Sequence, residues 1–492
     1  MINLIEVSRM KEVRKMQKKG WGTMKKVKNI LRVLILCMML SIATGVYAQE
    51  VTNISTLEFT KLLKPLDTSN RLNINESSKA LLTREKAAAL IIKLMGYEGI
   101  AKDYKNSTLY KDVTAYKGEI HIVSQLGIMS GTGTGLFTPT KPVTYEQAKI
   151  ITQRIQNKLN KPATWNHAFY AISSSSQMEL IPTYDAVSFG WAQVGYDAAK
   201  QSFGIQTTQG DFKVPTGFQK PLDLAKSNGV ETYLMVFFED KNGMAKQLLN
   251  NETQVDKLIK QIVDLSNGIT KDGVTRAFDG VTIDFENFIS SDLAMPYTKF
   301  LSKLKTQLKL HNKKLNVAVP PTIHFKGYDY RGIGEYADKV ILMAHDYSTK
   351  SLTPFEQEIG RIITPLTPIN EVYASFAAIT NSATGIQDKS KIVLQISYGA
   401  LQWQTKEGKV INSKAYTPTY DKIYARLKNS STQSLYDETY QNPYAVYEEN
   451  GISNIIWYEN NKSVKAKTDL AKLFGIQGIS YWRLGMIPFY EG

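Results

Sequence analysis

The chain has 492 residues, too many for one ordinary hydrophobic core, so two or more domains are expected. Its composition, 43% apolar and 21% charged, is that of a globular protein and excludes a disordered chain or a collagen-like fibre. The formal net charge of +15 is concentrated in residues 1–48, which contain ten Lys or Arg and two Glu. The remaining charge of about +7 is too small to favour nucleic-acid binding.

Residues 1–48 are predicted to be a secretory signal. A basic segment precedes the apolar run VLILCMMLSI (33–42), and VYA supplies small residues at −3 and −1 of a cleavage site after Ala48. The run is short for a membrane span, and an uncleaved anchor is the alternative. Cleavage removes Cys37, the only cysteine, so the exported protein must rely on a large core. We expect a secreted, cell-wall or cell-surface protein of a bacterium, with no membrane segment after cleavage.

Residues 52–160 are predicted to form a small helical unit with an internal repeat. In LLTREKAAALIIKLMGYEG (81–99), apolar residues recur at helical spacing and Thr83 is placed to cap the helix. A second segment, residues 110–155, contains the glycine-rich turn GTGTG and a further helix that begins after Thr144. The sequence therefore contains two related helical segments.

These segments resemble S-layer homology repeats, on the evidence of YKDV, GIMSGTGTGLFTPTKPVT and the paired LTRE and VTYE stretches. The family usually has three repeats, of which about two are found here, and Tyr145 stands where the motif favours Arg. The resemblance implies that the unit binds polysaccharide attached to the bacterial wall. A helical spacer without a ligand is the alternative.

From residue 164 to residue 492, β-rich segments alternate with amphipathic ones such as 254–269 and 297–313. The predicted strands are 167–173, 184–194, 231–238, 279–286, 315–321, 339–347, 391–399 and 478–485. Eight strands alternating with helices predict an α/β fold, the (β/α)8 TIM barrel. An open doubly wound sheet is the alternative, but no glycine-rich phosphate loop follows a strand.

The stretch FDGVTIDFENF (278–288) places carboxylates among large apolar residues, which is uncommon without a reason. Alternate side chains of a strand share a face, so Val281, Ile283 and Phe285 are expected to pack against the outer helices. The opposite face, directed to the barrel axis, would carry Thr282, Asp284 and Glu286. Glu286 would lie nearest the C-terminal end, where barrel enzymes have their active sites. Asp279 starts the strand on the other face, which indicates a structural role.

Asp284 and Glu286 are two residues apart on one strand, so their Cα atoms should be about 6.5–7 Å apart. In a poorly hydrated barrel both cannot easily be charged, and one is expected to hold a proton as an acid catalyst does. Both approach a substrate from the same side. They therefore cannot serve as acid and opposite-face nucleophile, and another group must attack.

DGVTIDFE resembles the D-x-x-D-x-D-x-E motif on the fourth barrel strand of family 18 glycoside hydrolases. The resemblance implies that Glu286 is the general acid and then the base. It implies that Asp284 orients the 2-acetamido group, whose carbonyl oxygen attacks in a substrate-assisted, retaining reaction. Asp279 matches the first Asp, and Thr282 replaces the second, which puts the pH optimum in doubt. A structural acidic cluster is the alternative.

Two further segments extend the resemblance to substrate-binding positions. KVILMAHDY resembles the sixth-strand M-x-Y-D motif, with Met343 and Asp346 in place and His345 where the family has a Tyr that donates to the acetamido oxygen. ISYWRLG resembles the eighth-strand segment, in which Trp482 would form the floor beneath the sugar. Further candidates for stacking on sugar rings, near predicted strand ends, are Trp191, Tyr398 and Trp403.

Residues 433–485 look like the corresponding region of spore-cortex and cell-wall N-acetylglucosaminidases. With the anchor-like unit, this favours peptidoglycan as the substrate polymer. The alternatives are a chitinase or chitooligosaccharidase, a sugar-binding protein without turnover, and a structural surface-layer protein. We expect no cofactor and no metal, because the five histidines have no ligand-like spacing and H-E-x-x-H is absent.

Overall fold

The structure, a computed structural model, describes residues 52–73, 78–360 and 365–489. The predicted signal, residues 1–48, lies outside the described residues. Within the described ranges, none of the helices combines the length and the apolar character that a membrane span requires.

The described N-terminal residues form a helical unit. Its helices are α1 (Thr56–Leu63), α2 (Arg84–Met95), α3 (Glu98–Asp103), α4 (Lys117–Gln125) and α5 (Tyr145–Leu159). The predicted caps Thr83 and Thr144 each accept a backbone N–H at the start of a helix, and Ser55 caps α1 in the same way. Isolated β-bridges join the capping segments: Asn53 to Thr144, Ser55 to Leu81, and Thr83 to Pro142. Three capped helix starts therefore meet, one more than the sequence analysis predicted.

The glycine-rich turn of this unit is held by the YKDV segment. The hydroxyl of Tyr110 accepts the N–H of Gly131 at 3.0 Å. A Cβ atom at Gly131 would lie 2.5 Å from the Tyr110 ring, so glycine is required there. Asp112 accepts the N–H groups of Phe137 and Thr138 at 2.9 and 2.7 Å. These contacts explain why the YKDV segment and the glycine-rich turn occur together in the sequence.

The rest of the described chain contains the following elements in order: β1 (Trp165–Tyr170), β2 (Ala186–Asp197), β3 (Ser202–Gln206), α6 (Gln219–Ser227), β4 (Glu231–Glu239), α7 (Met244–Leu249), α8 (Glu252–Asn267), β5 (Ile269–Lys271), β6 (Val274–Arg276), β7 (Gly280–Glu286), α9 (Ala294–Leu310), β8 (Lys314–Val319), α10 (Tyr330–Tyr336), β9 (Lys339–Leu342), α11 (Pro354–Glu358), α12 (Ile369–Ile379), β10 (Ile392–Ser397), β11 (Leu401–Lys406), β12 (Lys409–Val410), α13 (Tyr420–Leu427), β13 (Gln433–Asp437), β14 (Asn442–Glu449), β15 (Ile452–Trp457), α14 (Asn461–Phe474) and β16 (Gly478–Trp482). Segments of 3₁₀ helix cover Lys64–Leu66, Ile172–Thr183, Ser291–Leu293 and Lys389–Lys391.

A closed barrel forms the centre of the molecule. In the described chain its parallel strands follow the order β1-β2-β4-β7-β8-β9-β10-β16, and β16 pairs with β1. This closure confirms the predicted (β/α)8 barrel and excludes the open doubly wound sheet. Each predicted strand overlaps one barrel strand. The hairpin strand β3, antiparallel to β2, was not predicted.

The two faces of β7 are those expected from the alternation of its sequence. Phe285 points outward to α9, where its ring centroid lies 5.9 Å from that of Tyr297 and 5.4 Å from that of Phe300. Thr282 points inward and contacts Ser188 of β2. The strands end together at one opening, called here the C-terminal mouth, where Glu286 lies.

An antiparallel sheet is inserted between β10 and β16 and was missed by the sequence analysis. Its strands are ordered β12-β11-β15-β14-β13 in the described chain, and α13 lies between β12 and β13. Its core includes Ala445, Tyr447 and Ile456, with Ile423 from α13. The sheet is thus a subdomain attached where the seventh barrel strand ends.

The N-terminal unit packs against the barrel and the inserted sheet. Tyr373 of α12 donates to Gln125 of α4 at 3.1 Å. Gln441, beside the inserted sheet, donates to the carbonyl oxygen of Gly96 at 2.8 Å. Lys158 of α5 donates to the carbonyl oxygen of Leu473 in α14 at 2.8 Å. Buried apolar residues of the unit and of the barrel belong to one continuous core.

Candidate active site

The interior of the barrel contains a buried polar group that we call the deep cluster, made of His167, Ser188, Thr282 and Ser480. His167 bonds Ser480 through Nδ1 at 2.8 Å and Ser188 through Nε2 at 2.7 Å. The Ser188 and Thr282 hydroxyls are 2.6 Å apart. Burial lowers the pKa of His167 to about 3, so its ring is neutral at physiological pH. Thr282 therefore completes a chain of neutral groups across four strands.

Asp284 and Glu286 lie beyond Thr282 on the same face of β7. Asp284 is 3% exposed, and its Oδ1 has no hydrogen-bond partner among the described residues. Burial, and then the charge of Glu286, raise the pKa of Asp284 well above its usual range. Burial also raises the pKa of Glu286, which is less buried than Asp284. This pair is suited to retaining one proton near neutral pH.

Other charged groups at the mouth act on Glu286. His345 and, more weakly, Lys350 lower its pKa, whereas Asp346 and Glu239 raise it. Glu239, at the end of β4, is the register partner of Glu286 and accepts a hydrogen bond from Asn287 at 3.0 Å. The proton of Glu286 therefore depends on charges from two other strand ends, those of β4 and β9.

His345 lies after β9, where the motif predicted it. Its Nδ1 is 2.9 Å from Asp346 Oδ2 and its Nε2 is 2.8 Å from Gln395 Oε1. Burial lowers the pKa of His345, but the bond and charge of Asp346, the bond to Gln395 and the charge of Glu286 outweigh it and raise that pKa overall. Burial raises the pKa of Asp346, but His345 and Lys350 outweigh it and hold that pKa below its usual range.

The neighbouring Tyr347 does not replace the tyrosine of the motif. Its hydroxyl is 2.7 Å from the hydroxyl of Ser375 on α12, so the side chain faces the outer helices. His345, not Tyr347, therefore occupies the motif position at the mouth.

Apolar side chains line the interior beside these groups. Met343 is 9% exposed and belongs to an interior cluster that also contains Phe169 and Ala318. Trp482 packs on this cluster, is half-buried, and has its ring centroid 5.2 Å from that of Phe169. The peptide bond between Trp482 and Arg483 is cis. Trp482 thus presents a partly exposed aromatic surface in the barrel.

The structure does not bring the other predicted aromatic residues to this place. Trp191 is fully buried on the outer face of β2, where it packs against Phe189 and Phe218. Tyr398 stacks on Tyr481 at 6.1 Å, outside the barrel interior. Trp403 is fully buried in the core beneath the inserted sheet. The rings of Trp191 and Trp403 are covered by other side chains, which corrects the expectation that these two residues line sugar subsites, whereas Tyr398 is partly exposed and its role in a subsite stays a prediction.

Asp279 lies at the opposite end of β7 from Glu286. Its Oδ2 accepts the backbone N–H of Thr232 at 2.8 Å and the Thr232 hydroxyl at 3.0 Å. It fastens β7 to β4, as expected for a structural residue.

The sequence analysis missed Gln395, Glu239, His167 and Ser188. Gln395 could have been found from strand alternation, because it shares the inward face of β10 with Val393. Glu239 directly follows the predicted strand 231–238, which neighbours β7, and a carboxylate at that place is also a recognisable signal. No group of three or more His, Cys, Asp or Glu in the described ranges is arranged to hold a metal ion.

Comparison with known families identifies the barrel. The model of glycosyl hydrolases family 18 matches residues 143–486. The chain belongs to family 18 of the glycosyl hydrolases. The S-layer homology domain model matches residues 109–149, which is the second of the two predicted repeat segments.

Curated proteins similar to this chain include an enzyme of Bacillus. A cortical fragment-lytic enzyme of Bacillus anthracis is 28% identical over 294 residues, which cover 57% of this chain and 62% of that protein. The chain thus spans less than two thirds of the length of this curated relative.

Solved structures share the fold of the family 18 barrel. The spore cortex-lytic enzyme SleL of Bacillus cereus matches 67% of this chain and 72% of its own, at 21% identity and a TM-score of 0.53. A chitinase of Chromobacterium violaceum matches 66% of this chain and 96% of its own, at 18% identity and a TM-score of 0.52. At these identities the likeness concerns the fold alone.

Proposed function

We propose that this protein is an exported family 18 glycosidase that cleaves β-1,4-linked N-acetylglucosamine bonds in peptidoglycan by a substrate-assisted, retaining reaction. The observation that carries the proposal is the pair Asp284 and Glu286, which occupy one face of β7 at the C-terminal mouth with raised pKa values. The position of this pair at the C-terminal ends of the barrel strands supports the proposal, because barrel enzymes bind their substrates at that end.

In the proposed reaction, Glu286 donates its proton to the glycosidic oxygen as the bond to the anomeric carbon breaks. The carbonyl oxygen of the substrate's 2-acetamido group forms a bond to that carbon, so retention needs no protein nucleophile. Asp284 accepts the acetamido N–H and stabilises the positive charge of the cyclic intermediate. Glu286 then takes a proton from the water that opens the ring, which restores the acid.

The remaining site residues are assigned supporting roles. Trp482 would stack beneath the sugar at the cleavage point, with Met343 packed near it. His345 and Asp346 would bound the acetamido pocket. Asp279 and Thr282 would hold the strand and its interior packing. Trp191 takes no part in binding because its ring is fully buried, and Tyr398, partly exposed after β10, stays a candidate for a sugar subsite.

Peptidoglycan is favoured over chitin by the names of similar proteins and by the N-terminal unit. The Bacillus relative is named a cortical fragment-lytic enzyme, and the S-layer homology match implies cell-surface association. We assign residues 1–48 to the signal, 52–160 to wall-polysaccharide binding and 164–492 to hydrolysis. Spore cortex and vegetative wall are both possible sources of substrate. A chitinase with the same site is the second candidate, because the reaction requires only the acetamido group.

The test is digestion of purified peptidoglycan by residues 49–492, the predicted exported form, and by its Glu286→Gln variant. Reducing ends and released fragments are identified by mass spectrometry. New N-acetylglucosamine reducing ends are expected from the parent alone. Glu448→Gln changes an exposed carboxylate of β14 and serves as the matched control, with unchanged activity expected. Equal turnover by the parent and Glu286→Gln would refute the assignment.

A sugar-binding protein without turnover is the remaining candidate, favoured by Thr282 and His345 at positions where the family has Asp and Tyr. The same digestion experiment distinguishes such a sugar-binding protein from a glycosidase. Retention of wall or N-acetylglucosamine oligomers by the parent, with no new reducing ends from peptidoglycan or chitin, would select it.

A further inference from the structure

His345 makes a hydrogen bond through each ring nitrogen, and both partner atoms are acceptors. An ionised carboxylate can only accept, so Nδ1 donates to Asp346 at 2.9 Å. Gln395 Oε1 is an amide carbonyl oxygen, so Nε2 donates to it at 2.8 Å. A histidine that donates from both nitrogens is an imidazolium. The His345 side chain is 9% exposed, whereas its partner Asp346 is 41% exposed, so the ring is shielded from water while the carboxylate is reached by it.

The charges that face His345 come from several elements. Asp346 and Lys350, in the loop after β9, form an ion pair at 2.7 Å. Glu239, at the end of β4, is paired with Lys241 at 2.8 Å. Glu286 acts on it from β7, where Asp284 precedes Glu286 on the same face, and Gln395 of β10 is neutral. When the β7 pair holds one proton, it carries one negative charge that neither lysine ion pair balances.

We propose that His345 is a permanent imidazolium at the working pH, and that its charge holds the Asp284 and Glu286 pair at one negative charge, so that the pair retains a single proton. The catalytic meaning of this charge rests on the proposed function. A neutral side chain at position 345 would leave the negative charge of the β7 pair uncompensated in a buried place. The pair would then bind a second proton and lose the negative charge that a bound acetamido group requires. His345 is on this account a positioning residue that acts through the two carboxyl groups.

The direction of the pKa shifts agrees with this geometry. The pKa of His345 is raised although burial opposes it, and Glu286 is among the charges that raise it. In return, His345 lowers the pKa of Glu286. The two groups therefore stabilise each other's charged forms.

The first test is nitrogen NMR of the complete exported protein labelled with ¹⁵N only at histidine. The sequence contains five histidines, so the spectrum is simple, and the His345→Gln variant assigns the signal. Two protonated ring nitrogens are expected for His345 at about pH 8, where a histidine of ordinary pKa, about 6.5, is neutral, and one for His167. A non-protonated nitrogen in His345 at that pH would overturn the proposal. This result does not depend on turnover, so it stands apart from the success or failure of the proposed function.

The second test is the pH dependence of kcat on a fluorogenic N-acetylglucosamine oligosaccharide. His345→Gln keeps an N–H donor but removes the charge, so carboxyl pKa values rise and the acid limb moves to higher pH by about one unit. His345→Lys restores a positive charge and should return the limb toward its original position. His324→Gln is the control, because His324 is exposed and pairs with Glu371 at 3.5 Å. A loss of kcat that is equal at every pH would show a structural role only.

Discussion

The deep cluster and the mouth of the barrel each contain a histidine bonded through both ring nitrogens, yet the two rings differ in charge. His167 bonds hydroxyl groups, which can either donate or accept, so a neutral ring satisfies both partners. His345 bonds a carboxylate and an amide oxygen, so both nitrogens must donate. Both side chains are largely buried. The chemistry of the partner, more than burial, therefore decides which ring is charged.

The deep cluster and the residues at the mouth are also connected through the backbone of the barrel strands. Thr282 and Asp284 share one face of β7, and Gln395 is the register partner of Ser480. Neutral hydrogen bonds in the deep cluster can hold the strands without adding charge beneath Asp284. We infer that, because the deep cluster is neutral, the interior groups that change protonation are confined to the mouth.

The largest effect is expected for Glu286→Gln. Loss of the acid should lower kcat by about 10²–10⁴-fold, because a positioned acid contributes a factor of this size. The melting temperature should stay near that of the parent, since no bond of the deep cluster is changed. Steady-state kinetics and thermal melting check this result. A decrease of less than tenfold would contradict the role of Glu286.

Asp284→Asn should lower kcat by about 10²–10³-fold, because a preorganised charge at the reaction centre is lost. The same change should alter stability in a pH-dependent way. A carboxyl whose pKa is higher in the folded protein stabilises the fold at low pH, and this contribution is lost as pH rises from 3.8 toward the raised value.

Accordingly, the parent should lose stability relative to Asp284→Asn as pH increases through that window. Denaturant unfolding of both proteins at several pH values measures the difference. A difference that is constant with pH would contradict the raised pKa of Asp284.

Thr282→Asp introduces into the deep cluster the carboxyl that the family motif has at this position. A buried carboxyl beside Ser188 should destabilise the fold by about 1–3 kcal/mol and move the acid limb of kcat to higher pH. Thr282→Ser keeps the hydroxyl and is the matched control. Unfolding free energies and pH profiles test the change. If the acid limb of kcat did not move, the carboxyl introduced at position 282 and the Asp284 and Glu286 pair would titrate independently.

The smallest effect on activity is expected for Ser188→Ala. It removes the partner of both His167 Nε2 and Thr282 Oγ1, which are buried, at a cost of about 1–3 kcal/mol in the free energy of unfolding. The value of kcat should change only a few-fold, because no charge at the mouth is altered. Urea unfolding and kinetics test both statements, and Ser227→Ala on the surface is the control.

Much of the barrel was predictable because each strand is apolar or alternating over five or more residues. The inward positions of Thr282, Asp284 and Glu286 also followed from alternation. The same rule, applied to β2, would have placed Trp191 outward with Phe189, and proximity to a strand end was the weaker guide. The inserted sheet was missed because its short hairpin strands carry many polar residues.

The charge of His345 could not be predicted from the sequence. It depends on Gln395, which is 50 residues away in the chain and reaches His345 only through strand pairing. The neutral state of His167 likewise depends on Ser188 and Ser480 from different strands. Motif positions identify such residues, but their protonation follows from contacts that are distant in sequence.

The packing of residues 52–159 onto the barrel has a consequence for where the enzyme can work. Gly96 and Gln125 accept hydrogen bonds, and Lys158 donates one, that join this unit to the inserted sheet and the outer helices. A wall polymer that holds the unit would therefore also fix the direction in which the C-terminal mouth points. The protein would have a short reach, set by its own dimensions, and would cleave those glycan strands that pass in front of it. For an enzyme held in the wall, the rate of cleavage would then be limited by the supply of glycan strands and not by diffusion of the enzyme.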